Sequence, residues 1–165
     1  MGEGLGRKDI AQDLERAAQA VIAGRDSFYW EVVAGSFIGR GRSFAQLSSF
    51  AEAGIERYRI SATLDQATTN TCRYLDGKTF SVRRGLGIFD QVEADSENIR
   101  EHNPWLRERG DSIFIERAGQ RVPIAQVVRS GFGVRDDRGE YAQARSEQEL
   151  EGLNIGFPPV PRQLP

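Results

Sequence analysis

The residues best suited to chemistry lie close together near the middle of this sequence. A carboxylate there can act as a general base, a thiol as a nucleophile, and an ammonium group as a partner for an anion. These side chains and the hydroxyls between them are Asp65, Thr68, Thr69, Cys72, Asp76 and Lys78. Each also has an ordinary structural use, so chemistry and structural support must be weighed for every one of them.

Cys72 is the single cysteine of the chain, and His102 is its single histidine. A thiol needs a nearby base or positive charge for activation, and 30 residues separate this pair with no spacing rule to join them. We predict that Cys72 is a small buried side chain rather than a nucleophile. His102 lies between polar residues and is predicted to be solvated. One cysteine and one histidine cannot form a Cys/His zinc cluster, and we predict no metal and no cofactor.

The charged and hydroxyl side chains of the central segment have structural explanations. Asp65 is predicted to cap a helix over residues 66–75, with general-base catalysis as the alternative. The threonine hydroxyls are expected to serve backbone N–H groups, with phosphate binding as the alternative. Asp76-Gly77 is predicted to form a tight turn with positive φ at Gly77, and anion binding by Lys78 is the alternative.

The first third of the chain is predicted to be helical. Apolar residues recur at three- and four-residue steps over residues 7–23, and Gly24 follows as a C-terminal cap. A second helix is predicted from Asp26 or Ser27 to residue 54. Its Gly39-Arg40-Gly41 run is expected to kink or split it, with Ser43 able to cap the second piece.

The remaining residues predict short strands and helical turns. The first elements are a strand over 57–64, the helix over 66–75 with Leu75 inward, and a strand over 78–82 with Phe80 and Val82 on one face. A loop that contains Gly85 and Gly87 is predicted from Arg83, and a helical turn over 95–101. Two further strands are predicted, over 113–116, with Phe114 facing away from its neighbours, and over 122–128. The fold class is therefore α+β. An N-terminal helical pair or long kinked helix precedes a small, mostly antiparallel sheet with short helices and an extended Pro-rich tail.

The charge of the chain is nearly balanced, with 22 basic and 24 acidic residues. Only two of the basic residues are lysines, so 22 − 2 leaves 20 arginines. This excess fits codon bias, with buried ion pairs, an interface or phosphate contacts as alternatives. The basic residues form no clustered arm for nucleic acid. No apolar run reaches the roughly 18 residues of a membrane span, and the first residues lack a secretory apolar stretch, so a cytoplasmic origin is expected.

Residues 57–82 resemble the central motif of the phage head-morphogenesis family, the Mu F-type minor head proteins. That motif has a strand ending in Leu-Asp, a threonine soon after, a cysteine, and then Leu-x-Gly-Lys-x-Phe. The matching residues here are Asp65, Thr68, Thr69, Cys72, Leu75, Gly77, Lys78 and Phe80. The resemblance covers residues 5–82 well and the remainder loosely. It implies one domain over residues 1–157, with a helical part over 5–54 and an α+β part over 55–157, and a tail over 158–165.

The end of the chain departs from the family pattern. The family commonly closes with Pro-Pro and then a His-Pro-x-Cys-Arg run, whereas Phe157-Pro158-Pro159-Val160 leads here to Pro161-Arg-Gln-Leu-Pro165. Metal or thiol chemistry that depends on that closing set cannot operate in this chain. The departure favours a scaffold over a catalyst, and the proline content predicts an extended tail.

The resemblance implies a non-enzymatic minor head protein. Such a protein associates with portal or major capsid proteins, with packaged DNA as a further candidate partner, and assists head assembly or DNA delivery. It is expected in the host cytoplasm during assembly and then in the inner head of the virion or of a phage-like particle. Neither a membrane partner nor a small-molecule substrate is expected.

Aromatic and proline residues are the candidate interface. Trp and Tyr concentrate in interface cores, and Pro-rich segments lose little entropy on docking. Core packing is the alternative for the aromatic residues. The candidate interface residues are Phe28, Tyr29, Trp30, Phe37, Pro158 and Pro159.

The alternative function is enzymatic. A toxin-like domain, or one that processes nucleotides or nucleic acid, would gather the central charged residues in one cleft. That cleft would contain Asp65, Asp76, Lys78, Arg73 and His102.

Overall fold

The computed structural model describes residues 6–18 and 27–155, apart from some side chains of the first two helices. Helix α1 spans Arg7–Ala18 and helix α2 spans Ser27–Glu52. The predicted caps Gly24 and Asp26 and the Pro-rich tail with Pro158 and Pro159 lie outside the described residues. The side chains that are not described are those of Arg7, Ala17, Ala18, Ser27, Phe28, Tyr29, Trp30, Val32 and Ser36.

Helix α2 is continuous, so of the two predicted effects of Gly39-Arg40-Gly41, a kink or a split, the split is wrong. The hydroxyl of Ser43 donates to the carbonyl of Gly39 at 3.0 Å, one turn earlier in the same helix. Ser43 therefore bonds back within the helix and does not cap a second piece. The helical apolar spacing on both sides of the glycines outweighs their cost, which is about 1 kcal/mol each.

The structure divides into two compact units whose boundary falls between Gln46 and Leu47, within α2. In the first unit, Ala11 of α1 and Ala34 of α2 are buried. Partly buried side chains of Ile10, Leu14 and Val33 pack around them. Small residues at this contact let two helices approach closely.

The second unit contains the remaining helices and strands. The helices are α3 (Asn70–Leu75), α4 (Val82–Ala94), α5 (Ile99–His102), which follows a 3₁₀ turn over Ser96–Asn98, and α6 (Glu147–Gly152). The strands are β1 (Arg57–Arg59), β2 (Thr79–Ser81), β3 (Arg107–Arg109), β4 (Ser112–Arg117), β5 (Gln120–Arg129) and β6 (Glu140–Ala142).

All strand pairs are antiparallel. Strands β1 and β2 form one small sheet, with Tyr58 opposite Phe80. The other sheet has the order β3-β4-β5-β6, and a register shift lies between Ile113 and Phe114 of β4. Phe114 is buried like both of its neighbours, because the two faces of β4 are covered. The predicted α+β class with a small antiparallel sheet is confirmed.

Two apolar cores support the second unit. The larger core joins the four-stranded sheet to α3, β2 and α6, and its buried members are Tyr74, Leu75, Phe80, Ile113, Ile115, Ile124, Ala125, Val127, Leu150 and Ile155. The smaller core joins the end of α2 to α4 through Leu47, Val82, Ile88 and Val92. Burial of Leu75 and Phe80 agrees with their predicted orientation.

Several predicted boundaries were wrong. Strand β1 ends at Arg59 rather than residue 64, and β2 ends at Ser81 because Val82 begins α4. The predicted glycine loop after Arg83 is helix α4, whose first turn is capped by the Ser81 hydroxyl. Apolar residues at helical spacing on one buried face outweigh the two glycines there. The helical turns over 95–101 and the strands over 113–116 and 122–128 are confirmed.

Candidate functional site

Asp65 lies in an exposed turn that precedes α3. Its carboxylate accepts hydrogen bonds from the Ala67 N–H at 2.9 Å and from the Thr68 hydroxyl at 2.7 Å. The Thr68 hydroxyl is the main reason that the pKa of Asp65 lies below its usual range. The ionised carboxylate thus closes a local turn, and the prediction that it caps α3 is wrong.

The N-terminal cap of α3 is Thr69. Its hydroxyl accepts from the backbone N–H of Cys72 at 3.4 Å, and helix α3 starts at Asn70 rather than residue 66. This agrees with the predicted role of the threonine hydroxyls toward the backbone. The thiol of Cys72 is free and half-buried, not buried as predicted.

Arg73 is the most deeply buried polar residue of α3, with only 1% of its surface exposed. Its guanidinium donates to the backbone carbonyls of Thr68, at 2.9 Å, and of Asp65 and Asp137. The first two carbonyls belong to the turn before α3, and the third belongs to the loop over residues 130–139, here called the β5–β6 loop. Arg73 therefore joins two loops that are distant in sequence, and its planar donor arrangement suits this task.

Asn70 makes a second set of contacts between distant segments. Its side-chain amide donates to Glu108 at 2.6 Å and accepts from the Ser130 hydroxyl at 2.9 Å. Its backbone carbonyl accepts from the Tyr141 hydroxyl at 2.9 Å. One buried asparagine thus connects α3 to β3, to the β5–β6 loop and to β6.

Asp76 is the C-terminal cap of α3, and it contacts the β5–β6 loop through Arg138. Its carboxylate accepts from the Ala62 N–H at 2.9 Å and from Arg138 Nε at 2.7 Å. Burial opposes its ionisation, but these two donors hold the pKa of Asp76 below its ordinary value. Gly77 has φ of +82°, as predicted for the turn, and an added Cβ would lie 3.3 Å from Arg138 Nη2.

Lys78 is engaged with an aromatic ring. Its Nζ lies 4.5 Å from the ring centroid of Tyr74, whose hydroxyl donates to the Arg145 carbonyl at 3.0 Å. Burial lowers the pKa of Lys78 and raises the pKa of Tyr74 to about 12. Phe80 adds apolar support, since its ring lies 6.1 Å from that of Tyr58 and is buried in the larger core.

Helix α6 completes the surroundings of the motif with two carboxylates one turn apart. Glu147 accepts from the backbone N–H of Thr79 at 2.9 Å and from its hydroxyl at 2.8 Å. Glu151 accepts from the backbone N–H of Ser81 at 2.6 Å. The donors of β2 that no strand pairs are thus satisfied by side chains, a function the sequence did not suggest.

The β5–β6 loop is the main feature that the sequence analysis missed. Its Gly133 and Asp136 N–H groups donate to the carbonyls of Gln66, at 3.1 Å, and Leu64, at 2.8 Å. The loop is therefore bonded along its length to the turn that contains Asp65. It nevertheless exposes two large apolar side chains, Phe132 at 61% and Val134 at 52%.

Of the five residues of the predicted enzymatic cleft, the structure joins Arg73 to the backbone carbonyl of Asp65, and the other three contact other residues. Most of the contacts given above for Asp65, Arg73, Asp76 and Lys78 are with backbone atoms. His102 instead contacts Asp95, with Nε2 and Oδ2 2.9 Å apart. Within residues 6–18 and 27–155, no group of three or more His, Cys, Asp or Glu residues could hold a metal ion.

The chain matches no protein family model, no curated protein and no solved structure. None of the helices described here has the length and apolar character needed to cross a membrane. The motif is therefore interpreted from its own geometry. That geometry uses charged side chains to fix the positions of two surface loops.

Proposed function

We propose that this protein is a non-enzymatic minor head protein that acts through protein–protein contacts with portal or major capsid proteins. The proposal combines the resemblance of residues 57–82 to the head-morphogenesis motif with the use of that motif here. The observation that carries it is the attachment of the β5–β6 loop to the motif by Arg73, Asn70 and Asp76. A loop fixed in this way, with apolar side chains outward, suits a binding surface.

The exposed residues of the loop support this interpretation. Phe132 and Val134 leave most of their apolar surface exposed to water. Val128, at the end of β5, is also mostly exposed. Burying a large apolar side chain at an interface contributes about 1.5–3 kcal/mol. A rigid loop also loses little conformational entropy on binding, which increases the affinity that such residues provide.

The motif's own chemistry supports a scaffold. A general base or a nucleophile must reach a substrate atom, but the Asp65 carboxylate is held by the turn that it closes. Arg73 is enclosed by carbonyl oxygens, and Asp76 is paired with Arg138. The hydrogen bonds of these groups are therefore made mainly within the turn before α3 and the β5–β6 loop.

Co-expression with the portal and major capsid proteins encoded in the same genome tests the proposal. The wild-type protein should co-purify with one of them or with assembled particles. The double substitution of Phe132→Ser and Val134→Ser should reduce recovery by about tenfold or more, because two apolar contacts are lost. Ile55→Ser removes an exposed apolar residue outside the loop and serves as the matched control. No recovery of the wild-type protein with either component would contradict the proposal.

A further inference from the structure

One face of the four-stranded sheet belongs to neither apolar core. Side chains alternate between the two faces of a strand, and directly opposed residues share a face. Around β3, Leu106 packs against the larger core and Glu108 contacts α3. Arg107 and Arg109 therefore lie on the opposite face, here called the outer face. The cross-strand neighbours that complete the outer face are Ser112, Phe114, Glu116, Arg121, Pro123 and Gln126.

The outer face is mainly polar, although one aromatic ring lies within it. Phe114 is only 5% exposed, and Cζ of Arg121 lies 4.9 Å from its ring centroid. The side chains of Ser112, Pro123 and Gln126 are exposed. A surface that binds protein usually has an apolar centre within a polar rim, whereas this face presents mainly guanidinium, hydroxyl and amide groups.

Positive charge exceeds negative charge on the outer face. Its strand positions hold three arginines and one carboxylate, which belongs to Glu116. Glu116 pairs with Arg107, and its Oε2 lies 3.2 Å from Nη1 of that arginine. Among the described residues, no carboxylate lies within ion-pair distance of Arg109 or Arg121. Two guanidinium groups of this face are therefore available to pair with an anionic ligand.

Arg100 adds a third such guanidinium at the border of the outer face. Its Cζ lies 5.6 Å from the ring centroid of Trp105. Trp105 precedes Arg107 by two residues where the chain enters β3, so its ring lies on the same side of the chain as Arg107. Within the part of the chain that the structure describes, Arg100 has no carboxylate partner either. The three cations come from α5, β3 and β5, which is why the sequence shows no basic cluster.

A polymer of phosphates matches these groups better than an acidic polypeptide does. A guanidinium group binds phosphate oxygens through two parallel hydrogen bonds, and serine and glutamine side chains commonly contact phosphate and sugar oxygens. Interfaces with DNA are also more polar and more positively charged than interfaces between proteins. The exposed Ser112 and Gln126 on the same face as Arg109 and Arg121 therefore favour nucleic acid.

We propose that the outer face of the four-stranded sheet binds the phosphate backbone of nucleic acid through Arg100, Arg109 and Arg121. These residues lie outside the β5–β6 loop, which carries the proposed protein contacts. The outcome of the co-purification test therefore has no bearing on this second surface.

Fluorescence anisotropy with the full chain tests the proposal. The probes are a fluorescein-labelled DNA of mixed sequence and about 20 nucleotides, as a single strand and as a duplex. Three phosphate contacts correspond to a loss of duplex affinity of roughly fortyfold between about 50 mM and 200 mM salt, because each contact releases counterions. Binding of either form with a salt dependence of this order is the expected result.

Paired substitutions separate the outer face from general charge. The double substitution of Arg109→Gln and Arg121→Gln should weaken DNA binding by about tenfold or more and should reduce the salt dependence. The matched control is the double substitution of Arg83→Gln and Arg84→Gln, which makes the same charge change at exposed positions of α4. It should leave the affinity for DNA unchanged.

A substitution that increases affinity guards against misfolding as the cause of any loss. Glu116→Gln removes the carboxylate of the outer face and releases Arg107 from its ion pair. It should strengthen DNA binding by about threefold or more, whereas Glu93→Gln at an exposed position of α4 should not. Circular dichroism of each variant would verify that the fold is retained.

Three results would overturn the proposal. The first is that neither form of DNA binds the wild-type protein at about 50 mM salt. The second is an equal loss of affinity in the two double variants, which would assign the binding to net charge. The third is stronger competition by polyglutamate than by unlabelled DNA of equal total charge, which would show that this face selects an acidic polypeptide.

Discussion

Replacing Arg73 by methionine should lower the free energy of unfolding by about 3–5 kcal/mol, the sum of three charged hydrogen bonds less the cost of burying the guanidinium. The guanidinium donates to three backbone carbonyls, of which the Thr68 contact is 2.9 Å long. Each hydrogen bond from a charged group contributes about 1.5–3 kcal/mol. Methionine fills most of the volume and removes the cost of burying the charge, which reduces the net loss below the sum of the three bonds. Urea denaturation followed by fluorescence measures the change.

A second substitution tests the geometry rather than the charge. Arg73→Lys keeps the positive charge, but a single ammonium group cannot serve three carbonyls as the planar guanidinium does, so most of the loss should remain. Arg83→Met on the exposed face of α4 is the matched control and should stay within about 0.5 kcal/mol of wild type. Hydrogen exchange at the Gly133 and Asp136 amides should accelerate in both Arg73 variants, since these amides bond the two loops. A loss below about 1 kcal/mol for Arg73→Met would refute the role assigned to this residue.

Three further substitutions test the surroundings of the motif. Gly131→Ala would place a Cβ 2.6 Å from the Asp137 carbonyl oxygen and 3.0 Å from Arg73 Cδ, so it should lower the free energy of unfolding by about 1–3 kcal/mol. In the control Gly87→Ala, on helix α4, the added Cβ meets nothing within 4 Å, so this variant should raise the free energy of unfolding by about 0.5–1 kcal/mol in urea titrations. The Arg129 guanidinium lowers the pKa of Asp137 to about 2, so the stability that this carboxylate provides is present above about pH 4 and is lost as the pH falls toward 2. Asp137→Asn should therefore reduce the pH dependence of the unfolding midpoint between about pH 4 and pH 2. An unchanged pH dependence in this variant would contradict the Arg129–Asp137 pair. Cys72→Ser should shift the midpoint by less than the equivalent of about 1 kcal/mol, because the thiol is half-buried, and a larger loss would indicate a contact that packing does not explain.

Local periodicity predicted the long elements better than the short ones. The apolar repeats that indicated α1, α2, β4 and β5 depend only on neighbours along the chain, and these elements are present. Helix α4 was missed because Gly85 and Gly87 were read as loop residues. Burial of one face of α4 against Leu47 of α2 outweighs their low propensity, and a contact at that sequence distance leaves no local signal.

The residues of the motif were found from sequence, but most of their partners were not. Asp65 and Thr69 are both good helix-capping residues, and only the turn closed by Ala67 and Thr68 decides which of them caps α3. The contact between Arg73 and Asp137 joins residues 64 positions apart, and spacing carries no information over that distance. The attachment of the β5–β6 loop to α3 likewise required the structure.

The way Arg73 holds the β5–β6 loop has a consequence for binding. Its donors contact backbone carbonyls, and the amides of Gly133 and Asp136 also bond to carbonyls, so the loop is fixed mainly through its main chain. Side chains that point outward from the loop, such as Phe132, contribute little to this attachment. Stability and partner binding should therefore be separable: changes at Phe132 should alter binding while preserving the unfolding midpoint, whereas changes at Arg73 should affect both. A loop arranged in this way can acquire a new partner by substitution of exposed residues without loss of the fold.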